Sequence, residues 1–94
     1  MKLTPENIVK RQIKDYLWIR GWFNFHLQAG LGCYPGAPDR IAIKNGRVLF
    51  IEVKAPKGNQ SGYQKRFQKY MEISGGEYIL ARSVEDVMNI IEGV

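Results

Sequence analysis

Asp39 and Glu52 are the acids whose neighbours make chemistry plausible. Asp39 follows Pro38, while Glu52 continues the apolar run Val48-Leu49-Phe50-Ile51 and precedes Lys54 by two residues. Two β-patterned runs, over 39–44 and 47–54, carry these residues and are joined by Asn45-Gly46. Asn-Gly between β-runs signals a hairpin, because a type I′ turn needs positive φ at both central residues. In that register Lys44 faces Arg47, Ile43 faces Val48, Ile41 faces Phe50 and Asp39 faces Glu52. Opposed residues share a face, with Cβ atoms about 4.5–5.5 Å apart, and like charges there repel. A folded chain that keeps such a pair supplies a proton or a cation between them. Lys54 projects from the same face, so two carboxylates and a lysine would close an otherwise apolar surface. A metal site is one reading. The other is an ordinary Glu52–Lys54 pair at a strand end, with Asp39 a turn residue. A bulge would shift the register.

Other residues carry two readings each. Glu6 lies in a first helical turn, where an acid favours the helix dipole whether or not it does chemistry. Ser61-x-x-Gln64 is a capping box, and a capping role for Gln64 is compatible with a site role. Lys57, Lys65, Arg66 and Lys69 are candidate phosphate contacts, the last three also reading as a solvated helix face. Tyr34, in a loop, could stack on a base. His26 reads as a solvated or hydrogen-bonded histidine, and Cys33 as a loop thiol. Gly30-x-Gly32 lacks the Lys-Ser/Thr and the strand–turn–helix setting of a phosphate-binding loop.

The elements that must position these residues follow from periodicity and punctuation. Thr4-Pro5-Glu6 is a helix start, and Ile8, Val9, Ile13, Tyr16 and Leu17 follow one face until Gly21 stops it. From Trp22 to Gln28 the chain alternates: Phe23, Phe25 and Leu27 point one way, Trp22, Asn24, His26 and Gln28 the other. Residues 29–37 hold Gly30, Gly32, Pro35 and Gly36 and read as a loop. The hairpin follows, its second strand apolar on both faces as a covered central strand should be. A helix from Ser61 presents Tyr63, Phe67, Tyr70 and Met71 and ends at Gly75-Gly76. Residues 77–81 make a short strand. Ser83 caps a last helix with Val84, Val87, Met88 and Ile91 at i, i+3, i+4 and i+7. The order α-β-β-β-α-β-α predicts a mixed α/β sheet with helices on its faces.

A chain of 94 residues is one domain's worth, so residues 1–94 read as a single domain. One cysteine and one histidine exclude a disulfide scaffold and a zinc finger. No apolar run approaches the roughly 18 residues of a membrane span, and no export signal is evident at the N-terminus. Residues 1–71 carry thirteen Lys and Arg against four acids, a net of +9, whereas residues 72–94 carry Arg82 against five acids, a net of −4. A fold that keeps these parts apart has a basic working side, and the matching partner is an anion such as nucleic acid.

Pro38-Asp39, then Glu52-Val53-Lys54, with Glu6 in the first helix, resembles the PD-(D/E)xK nuclease superfamily. The glycine-rich approach to Pro-Asp and Ser61-x-x-Gln64 after Glu-x-Lys resemble its virus-type replication-repair branch, the VRR-NUC domain. The resemblance runs from Thr4 to about Ala81. It implies a restriction-endonuclease-like fold, a four-stranded mixed sheet flanked by helices. It also implies Asp39, Glu52 and the Val53 carbonyl as ligands of Mg²⁺ or Mn²⁺, since all-oxygen sets suit those ions. Glu6, Lys54 and Gln64 would complete the catalytic group, with Lys54 orienting water or stabilising charge on phosphorus, and no small-molecule cofactor is implied. The expected activity is structure-selective DNA endonuclease cleavage leaving 5′-phosphate ends, with four-way (Holliday) junctions the foremost substrate and a homodimer the foremost assembly. A flap or single-strand nuclease and a non-cutting DNA-binding module are the alternatives. A phage or bacterial origin and a cytoplasmic site of action fit small free-standing relatives of this type.

Overall fold

Thr4 Oγ1 accepts a hydrogen bond from Asn7 N at 3.1 Å and opens α1 (Pro5–Ile19), with the proline at the first helical position. The computed structural model describes residues 3–28 and 32–93, so Ala29, Gly30 and Leu31 of the loop read over 29–37 lie outside the described residues. Helix α1 ends at Arg20, and Gly21 takes the turn with φ +82°. Strands β1 (Phe23–His26), β2 (Arg40–Lys44) and β3 (Arg47–Val53) follow, then α2 (Gly62–Ile73), β4 (Glu77–Ala81) and α3 (Val84–Glu92). The four strands lie in sequence order, antiparallel except for the β3–β4 pair, which is parallel across α2. This is the mixed sheet expected from the element order.

The hairpin register is the expected one. Asn45 and Gly46 have φ +50° and +81°, the two positive values a type I′ turn demands. Ile41 pairs with Phe50, Ile43 with Val48 and Lys44 with Arg47. Pairing ends at Arg40–Ile51, so Asp39 sits one residue beyond the β2–β3 ladder. There its carbonyl accepts from Leu27 N at 2.7 Å, which ties β1 to the approach of β2.

The two faces of the sheet are covered unequally. Ala42, Leu49, Ile51, Val53, Ile79 and Ala81 are buried with Ile13 and Leu17 of α1 and Val87 of α3, and this is the core. Strand β1 alternates as read: Trp22, just before it, and Asn24 are buried, whereas Phe23 and Phe25 are 57% and 38% exposed. Asn24 tolerates burial because both ends of its amide are satisfied, Nδ2 donating to Trp22 O at 2.9 Å and Oδ1 accepting from Arg40 at 2.7 Å. Over the other face only α2 is laid, by Phe67 against Phe50 and Tyr78. Full cover of the central strand is therefore a reading the structure corrects, since Val48 is exposed. The apolar side read for α2 is also only partly used: Tyr63 and Tyr70 are exposed and no residue of α2 is fully buried.

Candidate active site

Glu52 is an acid at a position where the alternation of β3 places a side chain on the α2 face, next after Phe50. It is 2% exposed. Oε2 accepts from Gln64 Nε2 at 2.9 Å and lies 3.3 Å from Lys54 Nζ. Oε1 is buried with no hydrogen-bond partner. Burial, reinforced by the Asp39 charge, pushes the carboxyl up to about 7, and Lys54 offsets this only in part. A buried carboxylate with a free oxygen is costly unless a proton or a cation satisfies it.

Asp39 is held at the end of the sheet by its backbone and its carboxylate together. Oδ2 accepts from Val53 N at 2.6 Å, locking the acid to the strand that carries Glu52. Oδ1 lies 3.4 Å from Lys10 Nζ of α1. The same ammonium is 3.1 Å from Glu6 Oε2, so Lys10 stands as a cation between Glu6 and Asp39. Burial alone would lower the Lys10 pKa, but the Glu6 hydrogen bond and the Asp39 charge raise it overall. Among the described residues no three acids or imidazoles converge as a metal cluster. Asp39 and Glu52 come together, and Glu6 joins them only through Lys10.

Gln64 caps α2 and also reaches Glu52, because its amide has two ends. Oε1 accepts from Ser61 N at 2.9 Å and Ser61 Oγ accepts from Gln64 N at 3.2 Å, a complete capping box, while Nε2 is left to reach Glu52. The start of α2 is thereby fixed against the carboxylate. The loop before Pro38 presses on the same turn. Gly36 has φ +81°, and a Cβ there would lie 2.2 Å from the Tyr63 carbonyl oxygen, so glycine alone permits the approach. Tyr34 adds an edge contact to Phe67, with ring centroids 5.8 Å apart, so its ring is engaged in packing on α2.

After Lys54 the chain runs through Ala55–Gly58, which Arg82 pins by donating to the carbonyls of Ala55 at 3.0 Å and Gly58 at 2.5 Å. Lys57 is exposed on this loop. Lys65, Arg66 and Lys69 are exposed on α2, with the Arg66 guanidinium 5.8 Å from the Tyr63 ring centroid. The acids of the C-terminal part are partly engaged in structure. Glu92 accepts from the Tyr16 hydroxyl at 2.6 Å, and Asp86 from Arg82 N at 2.8 Å.

Sequence reasoning missed Lys10 and Arg40. A signal existed for Lys10, four residues after Glu6 on a predicted helix, the spacing of an acid–base pair. Arg40 follows Asp39 directly and was passed over as a strand residue.

Comparison with known proteins shows what this chain is similar to. No family model matches the chain. A phage protein named as a candidate nuclease, p44, of Acyrthosiphon pisum secondary endosymbiont phage 1, is 35% identical over 60 residues, 63% of this chain and 63% of that protein. The chain thus spans less than two thirds of the length of the curated relative it matches. A solved VRR-NUC domain superposes with a TM-score of 0.82 at 24% identity, over 96% of this chain and 97% of that one. A second VRR-NUC domain protein gives 0.75 at 20% identity, over 99% and 89%. Archaeoglobus fulgidus Hjc, a Holliday junction resolvase from an archaeal hyperthermophile, gives 0.59 at 24% identity, over 80% and 65%. The chain therefore has the fold of these VRR-NUC domains, the four-stranded mixed sheet with helices that the resemblance implied.

Proposed function

We propose that this chain is a VRR-NUC nuclease, a divalent-metal-dependent DNA endonuclease acting on branched DNA, with four-way junctions foremost. One observation carries the reading: a fully buried Glu52 beside Asp39, with an oxygen that no protein group satisfies. The donor set is oxygen only, which fits Mg²⁺ or Mn²⁺, and the fit rests on that orphaned oxygen. Asp39, Glu52 and the carbonyl of Val53 would hold the ion. When bound, it supplies Lewis-acid polarisation of the phosphodiester and lowers the pKa of the attacking water. Lys54, its ammonium already 3.3 Å from Glu52, sits where it orients that water or meets charge developing on phosphorus. Gln64 fixes the Glu52 rotamer. Glu6 acts through Lys10, which orients Asp39.

The whole chain acts as one domain in this reading, inside a phage-infected or bacterial cell. Among the described residues no helix is long and apolar enough to cross a membrane. Resolving a symmetric junction needs two related cuts, and a homodimer with twofold symmetry supplies them. The sheet face bearing exposed Phe23, Phe25 and Val48 is the candidate dimer surface, because apolar patches of this kind mark interfaces. The test is incubation of the purified protein with labelled four-way junction, flap, single strand and linear duplex, with Mn²⁺, Mg²⁺ or EDTA. Paired cuts in the junction, abolished by EDTA and restored by Mn²⁺, are expected. Failure to cut any of the four with either metal overturns the reading, and cutting of flap or single strand alone overturns the junction assignment.

A further inference from the structure

A second basic surface lies on the other side of Asp39 from Glu52. Asn7, Lys10, Arg11 and Lys14 recur at i, i+3, i+4 and i+7, one stripe of α1, and that stripe walls a cleft of about 390 Å³. His26 and Arg40 from β1 and β2 form the opposite wall, and Asp39 and Val53 close its end. The cleft therefore includes Asp39 and Val53, two of the three candidate metal ligands. Among the described residues, Lys10, Arg11, Lys14 and Arg40 line it against the single acid Asp39. Lys10 is committed to Glu6 and Asp39, and Arg40 is anchored through Asn24. Arg11 and Lys14 are exposed, and among the described residues neither has an acid or a hydrogen-bond acceptor as partner. Cations left unpaired around a concavity concentrate positive potential there.

We propose that this cleft holds one nucleotide of the cut strand beside the scissile phosphate, with Arg11 and Lys14 gripping its backbone phosphate. The assignment rests on the nuclease reading for its geometry, since what orients the nucleotide is the phosphodiester seated at Asp39 and Glu52. Size restricts the occupant. A cleft near the lower end of the roughly 300–1,000 Å³ range of ligand pockets takes a single nucleotide and not a duplex. The strand must then leave its helix at this point, as it does at a branch. The basic residues of α2, by contrast, are exposed on the outside of a helix and serve more distant phosphates.

The test separates the cleft from the activity. Binding of labelled four-way junction and of single-stranded DNA is measured in EDTA across a salt series, for the wild type and for Arg11→Ala with Lys14→Ala. Loss of two phosphate contacts lowers the log–log salt slope by about 1.4 to 1.8, at about 0.7–0.9 per contact. Affinity at constant salt falls at least about tenfold. Single methylphosphonates scanned along one strand then locate the phosphate: one position near the branch weakens wild-type binding and has little further effect on the double variant, the signature of a shared contact. A double variant that melts like the wild type and keeps its slope and affinity overturns the cleft assignment, even if the wild type cuts normally. A wild type that shows the cleft-dependent slope yet never cuts with Mn²⁺ supports the cleft and overturns the nuclease reading instead.

Discussion

Leu49, Ile51 and Val53 alternate along β3 with Val48, Phe50 and Glu52, and the two sets meet different surroundings. The first set is packed under α1 and α3 with nothing exposed. The second runs from an exposed valine at the hairpin end to a fully buried glutamate at the other. Between them Phe50 is shielded by Phe67, one side chain of a helix that buries none of its own residues completely. One face thus has the economy of a core, while the other leaves apolar area uncovered and a carboxylate in an apolar setting. Both anomalies are costly to the isolated chain, and marginal stability tolerates such costs mainly where a ligand or a partner relieves them. Folding stability thus rests on one face, and the proposed chemistry on the other.

The largest effect expected concerns the functional face. Asp39→Ala and Glu52→Ala should each lower cutting by more than about a thousandfold, some 4 kcal/mol of barrier, and leave DNA binding intact, because neither removes a cation. Steady cleavage assays and anisotropy measure the two quantities separately. Activity in either variant within tenfold of wild type would erase the division between the faces.

Next comes the folding face. Ile51→Ala truncates a fully buried side chain and should cost about 2–5 kcal/mol, read as a drop in the urea midpoint. Neighbouring Phe50, on the half-covered face, should lose visibly less on truncation to alanine. Equal losses at 50 and 51 would mean that the two faces are equally packed.

Much of this division was written in the residue pattern, and its limits have physical causes. Asn45-Gly46 set the register because only residues tolerant of positive φ close a two-residue hairpin, and that register, carried one residue past the last pair Arg40–Ile51, pointed to Asp39 and Glu52 lying together. Caps and periodicity located α1, α2 and α3 because those signals are local. What periodicity could not show is which side of an alternating strand meets cover, since that depends on where distant helices land. Phe23 and Phe25 therefore stand exposed, while Asn24 is buried. Lys10 escaped notice for a related reason, since its position between Glu6 and Asp39 is created by packing α1 against the end of β2. The dual use of Gln64 is a matter of which end of an amide points where, and a capping box is silent on that.

Acidity offers a smaller and more specific test. Glu52 binds a proton more tightly folded, at about 7, than unfolded, near 4.5. The folded state thus holds the extra proton between these values, so stability falls as pH rises through that window. The penalty is absent below pH 4.5 and complete above 7, and reaches about 3 kcal/mol from a shift of this size. Glu52→Gln removes the titration. In EDTA it should match the wild type near pH 4.5 and exceed it by up to about 3 kcal/mol at pH 8, while being inactive. Mn²⁺ at pH 8 should stabilise the wild type and not the variant. An advantage that stays constant from pH 4.5 to 8 would show that Glu52 is not desolvated as described.

The smallest change to the folded chain, and the finest probe of the uncovered face, is Phe23→Ser with Phe25→Ser. Both rings are well exposed, and they rest on each other with centroids 5.6 Å apart and on Trp18 at 6.2 Å from Phe23. Because the rings are only part-buried, chain stability at low concentration should fall by about 1–2 kcal/mol, less than a truncation in the core costs. If this face pairs two copies, the same substitutions should convert a dimer to a monomer in sedimentation equilibrium, because aromatic anchors dominate interface energetics. Junction cutting should then change in character before it falls in rate, with single nicks replacing paired cuts, since each subunit keeps its own Asp39 and Glu52. A wild type that is monomeric at assay concentrations, or a double variant that stays dimeric, would place the partner on another surface. The apolar area around Phe23 would then stand as a cost with no relief on that side of the sheet.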